Sequence, residues 1–250
     1  MSEFKDKVVL VTGAARDIGR AAAEAFAARG AALAVCDLTP TNLSETAARI
    51  RAAGGQVREY VHDTAKKMPA QALITQVLED WERIDILVNS AYAEPQVSLL
   101  GMDEWDWLRA LDVNLNGPFF MLQSVGRVMQ EAGGGVMVNI APPALLPGAA
   151  GRAAWAAGRD GLVGLTREAA RELGPHGIRV NAVCPGLVET EAAGWLRKEA
   201  PPVEAGPGGA EQSRPGRPEE VAQVALFLCS QAAGYINGQA IYVGGGNPGR

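Results

Sequence analysis

The chain has 250 residues, enough for one large domain or two small ones, and 48% are hydrophobic, enough for a sizeable core. A net charge of −5 argues against nucleic acid or an anionic membrane surface as partner. No apolar run approaches the ~20 residues of a membrane span, and the charged start MSEFKDK has no apolar signal core, so a cytoplasmic protein is expected. Cys36, Cys184 and Cys229 sit in apolar text without paired metal spacing and read as buried thiols. His62 and His176 are the only histidines and lie far apart, so no metal site is expected.

Strand-like apolar runs cover 8–12, 31–36, 56–61, 84–89, 135–140, 179–184 and 240–243. Helical stretches between them cover roughly 19–29, 41–53, 69–81, 102–130, 153–173 and 218–229. Strands alternating with crossover helices predict one α/β domain over 1–250, a doubly wound parallel sheet of Rossmann type with helices on both faces. Residues 200–218, APPVEAGPGGAEQSRPGRP, break the alternation. With the residues before them they define a variable segment over 191–217. It is expected to lie over the crevice at the carboxyl ends of the strands, where such sheets bind ligands.

The first unit, KVVLVTGAARDIGRAAAEAFAARG, is strand, glycine turn and helix. Gly13 ends the strand, and Gly19 falls where the helix begins. This arrangement aims free backbone N–H groups at a phosphate. The second apolar run ends in Asp37, placed to accept hydrogen bonds from a ribose 2′-hydroxyl and to repel a 2′-phosphate. NAD is therefore favoured over NADP, although Arg16 in the turn is a cation able to hold a 2′-phosphate. At the middle of the turn, where a glycine is expected, stands Asp17. Its side chain crowds a pyrophosphate and its charge repels one.

Further along, Asp63 could bond an adenine edge or cap the next helix. Asn89 could tie neighbouring strand ends through its amide. Asn114 sits inside the helical text LRALDVNLNGPFF, a poor place for an amide, where its side chain could bind water in a kink. Pro185-Gly186, with Val188 and Thr190 beyond, leaves backbone groups and a hydroxyl facing the same crevice.

Thr12-Gly13 to Gly19, Asp37, Asp63, Asn89-x-Ala91, Asn114, Val138-Asn139-Ile140, GLVGLTR at 161–167, GIRVNAV at 177–183 and Pro185-Gly186 stand in the order of one family. The whole chain resembles a short-chain dehydrogenase/reductase of the classical type. The resemblance implies a nicotinamide-linked alcohol or ketone oxidoreductase, a strand order of 3-2-1-4-5-6-7, and dimers or tetramers built on the long fourth and fifth helices. It also implies cofactor contacts from Gly13, Arg16, Asp17, Ile18, Gly19, Asp37, Asp63, Asn89, Ala91, position 159, Pro185, Gly186, Val188 and Thr190.

The family's chemistry rests on a serine, a tyrosine and a lysine. The flanking matches lay these on Pro142, Trp155 and Arg159, and no Ser or Thr stands between Asn139 and Trp155 to serve by a shift of register. Proline has neither hydroxyl nor N–H. An indole N–H donates a hydrogen bond but does not release its proton near neutral pH. Arg159 keeps a cation able to reach ribose hydroxyls, on a wider fork than an ammonium. Of the catalytic set only Asn114 is retained. Losing a positioned general acid removes ~10²–10⁴-fold in rate, and the losses do not add because the first disables the unit.

The expectation is a redox-inactive pseudoenzyme or non-catalytic subunit, homo- or hetero-oligomeric, paired in the second case with an active homologue. Two alternatives remain: an active NAD(P)-dependent oxidoreductase in which Tyr92 or Glu94 supplies the acid–base group, and an NAD-binding sensor. Pro142–Pro147, Tyr92, Trp155 and Trp195 would line the crevice, so a small and partly hydrophobic ligand is expected.

Overall fold

The computed structural model describes residues 3–143, 151–191 and 214–245. The strands are β1 Val8–Thr12, β2 Ala32–Asp37, β3 Gln56–Val61, β4 Ile86–Asn89, β5 Gly135–Ile140, β6 Ile178–Pro185 and β7 Ala240–Val243. They form one parallel sheet in the order β3-β2-β1-β4-β5-β6-β7, which is the expected architecture. The helices are α1 Asp17–Ala27, α2 Pro40–Ala52, α3 Lys67–Trp81, α4 Glu104–Leu111, α5 Gly117–Glu131, α6 Ala153–Leu173 and α7 Pro218–Cys229.

β1 explains why the central strands read as unbroken apolar runs. Val9 and Val11 point into a core shared with Ile18 and Phe26 of α1 and Leu226 of α7. Leu10, between them, points into the opposite core with Leu73 of α3 and Met121 of α5. Both faces are covered, so both sets of alternating side chains must be apolar.

The predicted helix over 102–130 is two helices. A π-helical turn, Asp112–Asn116, separates α4 from α5. Pro118 lies just beyond it and has no N–H to give the Asn114 carbonyl, so the regular ladder cannot run through. The wider turn carries Asn114 inward, where it is 1% exposed. The other predicted boundaries shift by one to a few residues. α2 starts on Pro40, whose fixed φ suits a first helical position.

β1 is flanked by β2 and β4, so the chain winds outward from it in both directions. The crevice where the direction reverses lies beyond Thr12 and Asn89, which are register partners. Asn89 does tie strand ends. Its Nδ2 donates to Asn139 Oδ1 at 2.9 Å, and Asn139 Nδ2 donates to Thr166 Oγ1 at 2.9 Å, linking β4, β5 and α6.

Of the variable segment, residues 192–213 lie outside the described residues, as do Trp195 and 144–147 of the expected crevice lining. The segment's two ends are pinned together: Glu189 N donates to the Gly216 carbonyl and Gly216 N to the Leu187 carbonyl, both at 2.8 Å. The three cysteines are free and buried. Among the described residues no helix is long and apolar enough to cross a membrane, and no three His, Cys, Asp or Glu side chains converge as for a metal ion.

Candidate functional site

Gly13, Arg16, Asp17, Ile18, Gly19, Asp37, Asp63 and Ala91 line one cleft at the ends of β1 to β4. Two glycines shape it. Gly13 has φ +66°, and a Cβ there would lie 2.5 Å from Ala91 N. A Cβ on Gly19 would lie 2.0 Å from the Gly13 carbonyl oxygen. Asp37 stands on the cleft wall with its carboxylate held by the chain. Oδ2 accepts from Ala15 N at 3.1 Å and Oδ1 from Thr39 N at 3.0 Å. Asp63 Oδ1 accepts from Ala65 N at 3.1 Å, closing a turn ahead of α3, while Oδ2 stands 3.5 Å from Arg109. Nothing in the residues around Arg109, on α4, signals that it reaches this wall. The neighbours of a helix face are set by its docking, not its text.

At the first turn of α1 Asp17 stands in the wall of the cleft. Asp17 holds φ +50°, unusual for a side-chain-bearing residue. Its side chain is 6% exposed. Oδ1 accepts from Glu191 N at 2.7 Å, so the carboxylate spans from the glycine turn to the segment after β6. Oδ2 has no hydrogen bond, only the Arg16 guanidinium at 3.8 Å. Burial raises the Asp17 pKa above the ordinary carboxylate value, partly countered by the Glu191 N–H and Arg16. A helix N-terminus favours an anion, and here the chain supplies its own.

Pro142, Trp155 and Arg159 come together, with Arg159 Nη2 left without a hydrogen bond. Trp155 Nε1 donates to the Pro143 carbonyl at 3.1 Å. Arg159 Nη1 donates to the carbonyls of Pro142 and Pro185, the latter at 3.1 Å. The guanidinium lies over the indole, 5.2 Å from its centroid. Trp155 is 8% and Arg159 4% exposed. Burial lowers the Arg159 pKa from its usual value. The arginine thus ties the ends of β5 and β6 together from below instead of presenting a fork to the crevice. Val188 is buried beside Gly216, and Gly186 N donates to the Val243 carbonyl at 2.8 Å. Asn89, Arg159, Pro185, Gly186, Val188 and Thr190 are not walls of the cleft that holds Asp37.

Asn114 reaches the strap that follows β4. Its Oδ1 accepts from Ala93 N at 2.9 Å and its Nδ2 donates to the Ala93 carbonyl at 2.8 Å. The amide thereby clamps the backbone of this strap at Ala93. That strap carries Tyr92 and Glu94. Burial, then the Asp17 charge, pushes the Tyr92 phenol up to about 12, against a hydrogen bond from Thr190. Burial pushes Glu94 up to about 7, against the attraction of Arg152.

The adenosine end of a dinucleotide fits these residues: a glycine turn with close backbone, and a carboxylate at the end of β2. The pyrophosphate and nicotinamide ends do not. Asp17 stands at the first, and at the second Pro142, Trp155 and Arg159 occupy the positions where the family resemblance implies a hydroxyl, a phenol and an ammonium.

A model of the enoyl-(acyl carrier protein) reductase family matches residues 13–247. A 3-oxoacyl-(acyl-carrier-protein) reductase of Thermotoga maritima is 36% identical over 97% of the chain and 98% of its own length. A hydroxy(phenyl)methylsuccinyl-CoA dehydrogenase subunit, BbsD, of Thauera aromatica is 36% identical over 97% of each. Among solved structures, a hydroxysteroid dehydrogenase from Escherichia coli superposes with a TM-score of 0.86 at 30% identity, covering 98% of each chain.

Proposed function

The chain belongs to the short-chain dehydrogenase/reductase family, an oxidoreductase family that binds NAD(P), and on that premise we propose that this member transfers no hydride and works as a non-catalytic subunit beside an active NAD-dependent alcohol or ketone dehydrogenase. The observation that carries the reading is the closed Pro142–Trp155–Arg159 cluster. Every group there that could meet a carbonyl or alcohol oxygen is a backbone acceptor, an indole N–H already bonded, or a buried guanidinium. None gives or takes a proton near pH 7. Asp17, bridged to Glu191, supports weak or absent cofactor binding, and Asp37 supports NAD over NADP for what binding remains.

Partnering has its own support. α4 and α5 leave Trp105 at 70%, Leu108 at 49% and Phe119 at 41% exposed on a stretch the family uses for assembly. A second copy or an active homologue would cover them.

The test has two arms. Hydride transfer is followed at 340 nm with NADH or NAD over a panel of ketones and alcohols. Native mass spectrometry is run on untagged protein from its own source. No turnover together with a mixed complex supports the reading; ordinary turnover with Trp155 in place ends it, and homo-oligomers alone end the hetero-subunit part. Heat on titration with NAD without turnover would move the reading to an NAD sensor. A rearranged enzyme would draw on Glu94, whose carboxyl burial pushes up to about 7, the range suited to proton transfer, rather than on Tyr92, which burial pushes up to about 12. Turnover lost in Glu94→Gln would establish that alternative.

A further inference from the structure

The cleft at the ends of β1 to β4 encloses about 740 Å³, its open mouth included, a size that suits a small molecule. Its charges are out of balance. Among the described residues, Asp17, Asp37 and Asp63 line it against the two guanidiniums of Arg16 and Arg109. Each guanidinium already lies beside a carboxylate, Arg16 at 3.8 Å from Asp17 and Arg109 at 3.5 Å from Asp63. We propose that Asp17 turns this cleft from a dinucleotide site into one that selects an uncharged nucleoside against its own 5′-phosphate esters.

A nucleoside meets what the cleft offers. Asp37 and Asp63 stand at the carboxyl ends of neighbouring strands, Asp63 just beyond Val61, the register partner of Asp37. Each oxygen of Asp37 takes one backbone N–H and keeps a lone pair to spare. Such a carboxylate calls for a ligand that brings donors, and a pair of vicinal hydroxyls brings them. Half-exposed Leu38, together with Val113, gives the cleft apolar surface for a flat ring.

A phosphate is refused at the glycine turn. Asp17 is the first residue of α1, where free backbone N–H groups favour an anion. Its own buried carboxylate holds that place, with Oδ1 on the Glu191 N–H. Oδ2 has no hydrogen bond and water does not reach it, so its charge is little screened. The field extends beyond the turn: after burial, the Asp17 charge is the next cause that lifts the Tyr92 phenol. A nucleotide or dinucleotide brings further negative charge to this end of the cleft, and an opposing like charge is an effective device against a wrong ligand. A sugar hydroxyl brings none.

This selectivity rests on the reading of weak or absent cofactor binding given under the proposed function, and not on the loss of hydride transfer. Isothermal calorimetry on the full chain uses adenosine, adenosine 5′-monophosphate and NAD, with wild type, Asp17→Asn and Asp37→Asn. Adenosine is expected to bind wild type, with the monophosphate and NAD at least about tenfold weaker. Asp17→Asn keeps an acceptor for the Glu191 N–H and removes the charge. It should gain at least about tenfold for the monophosphate while adenosine changes by less than about threefold. Asp37→Asn should weaken adenosine about tenfold, which locates it in this cleft. The proposal is overturned if the monophosphate or NAD binds wild type as tightly as adenosine, or if adenosine does not bind. It is equally overturned if Asp17→Asn leaves the preference unchanged, or if Asp37→Asn leaves adenosine binding intact. Should Asp17→Asn fold poorly, Asp17→Gly takes its place and is read the same way, since glycine suits the left-handed backbone there. Turnover in wild type would end the non-catalytic reading, whereas a preference for the monophosphate would end only this one.

Discussion

The two halves of the crevice have diverged by different rules. At the β1–α1–β2 end the family residues remain, and each is tied into the fold: Asp37 holds Ala15 and Thr39, and Gly13 lets the turn touch Ala91. At the β5–α6–β6 end Pro142, Trp155 and Arg159 stand at the positions that the family resemblance gives to reactive residues, and they make a buried knot of indole, guanidinium and proline carbonyls. Asp37 and Gly13 serve the backbone whatever the crevice binds. Nothing in the folded chain depends on a phenol or an ammonium at positions 155 and 159, where the indole and guanidinium find backbone carbonyls.

The comparison can be broken most forcefully at Trp155. If the knot is structural, Trp155→Ala should destabilise by about 3–5 kcal/mol in urea unfolding, as for a buried aromatic, with Asp37→Asn below that at roughly 1 kcal/mol because the amide oxygen can still accept one bond. Similar losses at both would mean the halves do not differ. Asn114→Ala comes next, at about 2–3 kcal/mol, since it strands both polar groups of Ala93. Hydrogen exchange should rise along the strap from 92 to 97 in that variant.

A smaller effect follows from Glu94. Its folded pKa, about 7, lies above the ordinary 4.5 because burial disfavours the charged form. The folded state therefore holds the proton more tightly than the unfolded chain. Stability is greatest below pH 4.5 as far as this group is concerned, falls as pH rises from 4.5 to 7, and is lower above. With the carboxyl still partly in contact with solvent, the fall is roughly 1–2 kcal/mol. Thermal melts of Glu94→Gln should lack this portion of the slope. Asp17→Gly should change stability least, within about 1 kcal/mol, because it relieves a left-handed backbone while removing the bond to Glu191. Its mark is elsewhere: heat on titration with NAD where the wild type gives none would show that the carboxylate alone shuts the pyrophosphate place.

Much of this was readable along the chain. Alternating apolar runs and helical stretches require a parallel sheet covered on both faces, since only that arrangement buries every run. The odd residues were visible too, because Asp17, Pro142, Trp155 and Arg159 interrupt text whose neighbours conform. Hidden from the sequence was where each odd side chain sends its polar atoms. Asp17 meets Glu191 across the crevice, Trp155 finds a carbonyl twelve positions back in the chain, and the π turn delivers Asn114 to Ala93. Such pairings join residues that are distant in sequence and fall within hydrogen-bond reach only when β1, β4, β5 and β6 end side by side. Local patterning fixes which segments are strands and helices, because burial acts on each segment separately. The partners of a buried donor depend on the docking of whole elements, so the folded crevice alone decided that Arg159 meets the carbonyls of Pro142 and Pro185.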